Sequence, residues 1–293
     1  MKLAAGTVAA GAYGGSPTDA SRRPNVIYAF SDEHRWQSMS FTEMPQVKTP
    51  NMAALAGQGI NFTNCISNYP VCSPHRAMLM TGRWPCQQHV VDNNIQLESK
   101  TMTIGKAFRS AGYATGYIGK WHLGGVRAEP YGFDTSLIWT GEGQHWNHGE
   151  YHPAEGPAVQ PKGYNATLMT DQAVDFITAH KSTPFFLMLS WHPPHSNFLD
   201  APEEIKALYP EGSLPWRPNV PEEVRVVRDA KDTTKQNSWP YYCGYHALWF
   251  LKTRPCRGAR THNHCTASRI RQSRRHLLRF RSCRTSFLDA SLE

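Results

Sequence analysis

The run Cys72-Ser73-Pro74-His75-Arg76 places a thiol two residues before a proline and four before a guanidinium, just ahead of the helix-forming stretch Ala77-Met78-Leu79-Met80. Pro74 suits a first helical turn, where a missing N–H leaves no bond unmade, and the pattern predicts Cys72 at the N-cap. Free backbone N–H groups and the positive end of the helix dipole favour anions at such a point. A nucleophile there, with Arg76 one turn on, suits an anionic substrate. Taken alone, a single cysteine reads first as a buried structural residue, so the rest of the chain has to decide.

Three further groups stand at the ends of apolar runs. Val26 to Phe30 leads to Ser31-Asp32-Glu33, Tyr113 to Ile118 leads to Gly119-Lys120-Trp121-His122, and Pro184 to Ser190 leads to Trp191-His192-Pro193-Pro194-His195. Short apolar runs of this kind are buried strands, so acids, a lysine and histidines are delivered to three strand ends. Helices are expected from Thr49-Pro50 until Gly57 and Gly59 stop it, over Thr103 to Ser110 with Gly112 as terminator, and over Thr167 to His180. Phe62 to Ile66 reads as a short strand, and residues 126–165, rich in Gly, Pro, His and Trp, as a long loop region. The alternation predicts an α/β fold, a mostly parallel sheet sandwiched by helices, with ligands at the carboxyl ends of its strands.

A hydrophobic fraction of 40% over 293 residues supports a sizeable core, and no apolar run is long enough to span a membrane. Seven scattered cysteines do not make a disulfide scaffold. The net charge of +8 sits in the tail: residues 251–293 carry ten arginines and one lysine against Asp289 and Glu293, so the preceding body is close to neutral and gives no reason to expect nucleic acid as its partner. Residues 1–21 read as a signal-like or disordered segment. Their small, mildly apolar residues look like the back half of a twin-arginine export signal, which predicts an exported, periplasmic protein, with a cytoplasmic one as the alternative.

Two signatures carry a resemblance to the sulfatase family of the alkaline-phosphatase-like superfamily. The form C-x-P-x-R followed by T-G stands as Cys72-Ser73-Pro74-His75-Arg76 with Thr81-Gly82, and G-Y-x-T-x-x-x-G-K-x-H stands as Gly112-Tyr113-Ala114-Thr115 and Gly119-Lys120-Trp121-His122. Asp32-Glu33 matches the family's paired acids near the N-terminus, and Ser190 to His195 its strand followed by histidine and proline. The resemblance covers roughly residues 22–250, read as the N-terminal part of the catalytic domain. His75 replaces the usual Ser, Thr or Ala, and Glu33 the more common second Asp.

The resemblance implies a sulfuric ester hydrolase. Cys72 would be converted to formylglycine by a formylglycine-generating enzyme, giving a hydrated aldehyde that attacks the sulfur of a small-molecule or polysaccharide sulfate ester. Asp32 and Glu33, together with the Cys72 position, would hold Ca²⁺, with Mg²⁺ as the alternative. Arg76 would hold the diol and the metal-side charge, Lys120 and His195 would contact the sulfate, and His122 would be the base. His195 is the candidate general acid, and His192 shares its element. A phosphonate or phosphodiester hydrolase of the same superfamily is the alternative within the enzyme class. The spacing of His145, His148 and His152 admits a zinc reading, although loops near substrate also carry histidines for hydrogen bonding. Asn61-Phe62-Thr63 and Asn165-Ala166-Thr167 match the glycosylation pattern without implying a function.

The family also places metal ligands and a second sulfate-binding lysine in a later half, which this sequence does not supply. A family-like helix is expected from Tyr241, but after residue 250 the composition changes abruptly to 43 residues with no helical or strand period. That reads as an out-of-frame tail. The competing readings are a basic arm that binds polyanions, on a non-catalytic fragment, and a small metal site from Cys256, His262, His264 and Cys265. The expectation for this chain is weak metal binding and little turnover.

Overall fold

The computed structural model describes residues 23–43, 45–141, 145–195 and 201–209. The expected export segment, the helix from Tyr241 and the basic tail lie outside them.

Five strands form one sheet in the order β1-β5-β2-β3-β4. These are β1 (Val26–Ser31), β2 (Ala114–Lys120), β3 (Thr135–Thr140), β4 (Glu150–Pro153) and β5 (Phe185–Trp191). All neighbours pair in parallel except β3 and β4. The described helices are α1 (Pro50–Gln58), α2 (Cys72–Thr81), α3 (Pro85–Gln88), α4 (Ile104–Ser110), α5 (Asn165–Ala179) and α6 (Glu203–Lys206), with a 3₁₀ turn at Glu129–Tyr131.

The apolar run of β5 needs cover on both faces, and it occupies the sheet centre between β1 and β2. Its alternate side chains point to two cores. Phe186 and Met188 join Tyr117, Ala77, Met80 and Phe133 on the face covered by α2 and α4, with Phe108 of α4 stacked on Phe186 at 4.1 Å. Phe185, Leu187 and Leu189 join Ile118, Met169, Ala173 and Phe176 under α5. At roughly 1.5–3 kcal/mol per buried large apolar side chain, these two layers are what hold β5 in the middle. Helix ends follow local chemistry: the Thr103 hydroxyl accepts from the Lys106 N–H at the start of α4, and Gly82, at φ 67°, closes α2.

Four expectations need correction. Residues 62–66 form no strand; Phe62 and Ile66 are about two-thirds exposed, so no sheet face rewards their extension. The stretch 126–165 is not a plain loop, since it contributes β3, β4 and the 3₁₀ turn; its short strands are paired from outside rather than by their own alternation. Cys72 is the first residue of α2, and Val71 is the N-cap. Helix α1 passes through Gly57 and stops at Gly59. The predicted α/β class and the parallel core stand, as do β1, β2, β5, α4 and α5 within two residues or so at their ends.

Candidate active site

The carboxyl ends of β1, β5 and β2 lie side by side, with Ser31 paired to Trp191 and Gly119 to Ser190. A Cβ on Gly119 would come within 1.9 Å of the Ser190 carbonyl oxygen, so only glycine lets these two ends approach so closely. The residues that follow them therefore converge: Asp32 and Glu33 after β1, Lys120 at the end of β2, and His192 and His195 after β5. Helix α2 brings Cys72 and Arg76 to the same point.

Asp32 is the hub. Its Oδ2 takes an ion pair from Arg76 Nη2 at 3.3 Å and another from Lys120 Nζ, and its Oδ1 lies 3.9 Å from Cys72 Sγ. Lys120 Nζ is 4.0 Å from the same sulfur. Arg76 is held on three sides: Nη1 donates to the Lys120 carbonyl at 2.9 Å and to Ser190 Oγ at 2.7 Å, and its guanidinium carbon stands 5.3 Å from the Phe30 ring centroid. The Lys120 carbonyl also accepts from Tyr117 and Ser190 hydroxyls, which locks the end of β2. His195 Nε2 lies 3.4 Å from Glu33 Oε1. Glu33 and His122 both sit at positive φ, 58° and 52°, conformations that cost non-glycine residues about 1–2 kcal/mol. Such strain clusters where a side chain must be aimed.

Electrostatics separates these groups. Burial alone would raise Asp32, but Arg76 and Lys120 hold its carboxyl far below the usual carboxylate range, so it is ionised. The Glu33 carboxyl is raised, chiefly by desolvation, with His195 opposing and Asp32 reinforcing. The Cys72 thiol is also pushed up, by burial and then by Asp32, against Lys120 and Arg76. An unmodified Cys72 is thus a protonated thiol and a poor nucleophile. His122 drops to about 4 through desolvation and the nearby Lys120 and Arg76, which leaves a neutral imidazole beside the site at neutral pH.

Six of the seven sequence-derived site residues meet at this point, and His122 follows β2 beside them with its side chain exposed. Cys72, Asp32, Glu33, Arg76, Lys120 and His195 contact one another, and the backbone carbonyl of His122 accepts from Ser73 of α2. The histidine cluster of the long loop does not come together. His145 is fully buried, His148 offers its carbonyl to Trp139 Nε1 at 3.1 Å, and His152 bonds Thr140 Oγ1 at 3.0 Å. Among the described residues the groups able to hold a metal are Asp32, His192 and His195, and Glu33, Cys72 and His195. Asn165 is 1% exposed and lies 3.4 Å from His145, which leaves no room for a glycan. Tyr117 carries no functional signal in the sequence, and His145 reads there only as one of a loop cluster with His148 and His152, because the support each gives depends on contacts made across the sheet.

The Sulfatase family model matches residues 24–268. The chain belongs to the sulfatase family. It is 35% identical over 214 residues to an ulvan-active sulfatase of Formosa agariphila, and 34% identical over 199 residues to an N-acetylglucosamine-6-O-sulfatase of Bacteroides thetaiotaomicron. These alignments cover 69% and 65% of this chain but only 41% and 35% of those relatives, so the chain spans well under half their length. Among solved structures, one in complex with its substrate D-glucosamine-2-N,6-O-disulfate superposes with a TM-score of 0.59 at 33% identity, covering 64% of this chain and 37% of that one. No helix among the described residues of this sulfatase-family chain is long and apolar enough to cross a membrane.

Proposed function

We propose that this pocket hydrolyses a sulfate monoester, with Cys72, converted to formylglycine, as the attacking residue. The observation that carries the reading is the position of Cys72 at the first turn of α2, with Asp32 Oδ1 and Lys120 Nζ at 3.9 and 4.0 Å from its sulfur. Its thiol is protonated where it stands, so nucleophilic chemistry at this residue calls for the modification; a hydrated aldehyde supplies one hydroxyl to attack and a second to release sulfate.

The donor set fits a hard divalent cation. Asp32 and Glu33 present carboxylate oxygens beside the Cys72 position, the ligand type that Ca²⁺ and Mg²⁺ select. The formal charges of Asp32, Glu33, Arg76 and Lys120 cancel, so the protein groups alone give no excess positive charge for an anionic ester. A bound dication supplies it, lowering the cost of charge on the sulfuryl oxygens. Residues Asp32 and Glu33 would hold that cation. In this reading Lys120 and His195 would bind sulfuryl oxygens, Arg76 would fix Asp32 and the end of β2, and neutral His122 would accept a proton. The names of the relatives, an ulvan-active sulfatase and an N-acetylglucosamine-6-O-sulfatase, make sulfated carbohydrates the substrate class to test first.

The test is expression of the chain with a formylglycine-generating enzyme, mass spectrometry of the peptide ending at Arg76, and sulfate release from an aryl sulfate and a panel of sulfated sugars. The expected result is an aldehyde at Cys72 and a release that is slow, because the sequence does not supply the family's later metal ligands and second lysine, and that disappears in Cys72→Ala. Equal release by Cys72→Ala, or an aldehyde with no release from any substrate, would overturn the proposal for this chain.

A further inference from the structure

Behind the pocket lies a stack of imidazoles of which the hydrolytic reading uses only His195. His192 is 1% exposed and packs between Trp139, at 4.4 Å between ring centroids, His145, at 4.9 Å, and His195, at 4.7 Å. The hydrogen bonds within this stack fix which nitrogens carry protons. His145 Nε2 lies 2.9 Å from the His195 carbonyl oxygen, which only accepts, so that nitrogen bears the hydrogen. His145 Nδ1 is then the acceptor, and it faces the Asn165 amide nitrogen at 3.4 Å and His192 Nδ1 at 3.3 Å. His192 Nδ1 therefore donates, and the lone pair of His192 stands on Nε2. A histidine whose second nitrogen is held by an outer hydrogen bond is the arrangement in which imidazole ligates metal ions.

Asp32, His192 and His195 each offer a donor atom within 4.8 Å of the others. Two imidazoles with one carboxylate suit Zn²⁺ or Co²⁺, whereas a hard cation prefers oxygen alone. We propose that this pocket contains a borderline-metal site made by Asp32, His192 and His195, with His145 as the residue that positions His192. It shares Asp32 with the carboxylate set described above, so the two kinds of cation exclude each other, and a zinc-class ion displaces the hard one. Because Arg76 and Lys120 occupy Asp32 Oδ2, the ion takes Oδ1. The inference does not depend on sulfate hydrolysis, since occupancy is read without turnover.

The experiment is titration of the full, unmodified chain with Co²⁺, followed by visible absorption, and with Zn²⁺, followed by calorimetry. It is carried out on wild type, His192→Phe, His195→Phe, Cys72→Ser, Glu33→Gln and His145→Phe, with circular dichroism to confirm folding. Comparing variants isolates one equivalent from any metal held elsewhere in the chain. The expected result is that His192→Phe, which keeps a ring against Trp139, loses that equivalent, and that His195→Phe loses the same one. Cys72→Ser and Glu33→Gln should keep it, and His145→Phe should weaken it by about 10–100-fold. Retention in a folded His192→Phe overturns the site. Loss in Cys72→Ser assigns the ion instead to Glu33, Cys72 and His195 and equally overturns it. If His192→Phe does not fold, the half-buried position of His195 lets His195→Phe and Cys72→Ser decide the question between them.

Discussion

Replacing Asp32 by Asn tests the charge arrangement at the centre of the pocket. The change keeps the shape of the side chain and removes one negative charge from between two cations whose side chains are only 4% and 9% exposed. Breaking a buried ion pair from one side costs about 3–5 kcal/mol, most of it from the charge left behind. Here two charges are left behind, Arg76 and Lys120, facing each other. Lys120→Met should cost less, about 1–3 kcal/mol, because Asp32 keeps Arg76 at 3.3 Å. In the double variant only Arg76 is unpaired, so the two effects should fall short of additive by about 1–3 kcal/mol. Urea unfolding followed by tryptophan fluorescence measures all four corners of the cycle. For Asp32→Asn the melting temperature should drop by about 2–4 °C per kcal/mol. The pH dependence follows from the depressed carboxyl. Asp32 contributes its full stabilisation above the unfolded value of about 3.9 and loses it as pH falls through the lower folded value. The gap between wild type and Asp32→Asn should stay constant from pH 7 to about 5 and close only in stronger acid. An Asp32→Asn variant within about 0.5 kcal/mol of wild type, or a strictly additive double variant, would falsify this account of the hub.

Two other perturbations probe the scaffold. Burial lowers His145 to about 4 and His192 well below its ordinary value, so the unfolded chain binds more protons than the folded one. Stability should therefore fall as pH drops from about 6.5 towards 4, by up to about 1.4 kcal/mol per pH unit for each histidine, and denaturation midpoints at stepped pH should show a shallower slope in His145→Gln. Gly119→Ala should prevent the ends of β2 and β5 from meeting, since its Cβ lands 1.9 Å from a backbone oxygen, while Gly156→Ala, also at positive φ but with nothing within 4 Å, should lose only about 1–2 kcal/mol. Comparable soluble yield and unfolding midpoints for the two variants would contradict the close strand approach.

What the sequence disclosed was whatever depends on a few adjacent residues. The runs 26–30, 113–118 and 184–190 were legible because parallel strands buried on both faces are apolar throughout, and the residues after them were readable as ligands for the same reason. Thr103 and Gly112 announced the ends of α4 by side-chain and backbone chemistry that acts within four residues. Strands β3 and β4 stayed hidden because Thr135–Thr140 has only the three-residue apolar run Leu137-Ile138-Trp139, set in Gly-, Pro- and His-rich sequence, and takes its pairing from β2 on one side and from Glu150–Pro153 on the other. His192 and His195 could not be ranked from Pro193-Pro194 alone. Only the contacts of His145, forty-seven residues away from His192, separate a buried, tautomerically fixed imidazole from a half-exposed one beside Glu33.

Among the described residues, the pocket needs β5, the last of their five strands, in place. Asp32 and Lys120 are 88 residues apart in sequence and belong to strands that do not touch; β5, which follows both, separates and aligns them. Pairing Val26 with Phe186 and Ala114 with Phe185 closes two long loops at once, the kind of non-local parallel contact that forms late. Insertion of β5 also delivers Ser190 to the Lys120 carbonyl and to Arg76. Without β5, Arg76 lacks the Ser190 hydroxyl, and Asp32 lacks the neighbour that sets its distance from Lys120. The two apolar layers on either side of β5 therefore do more than stabilise the sheet. By making the central position the most favourable one for the run Phe185–Trp191, they make the geometry of the charged pocket depend on the same packing that completes the core.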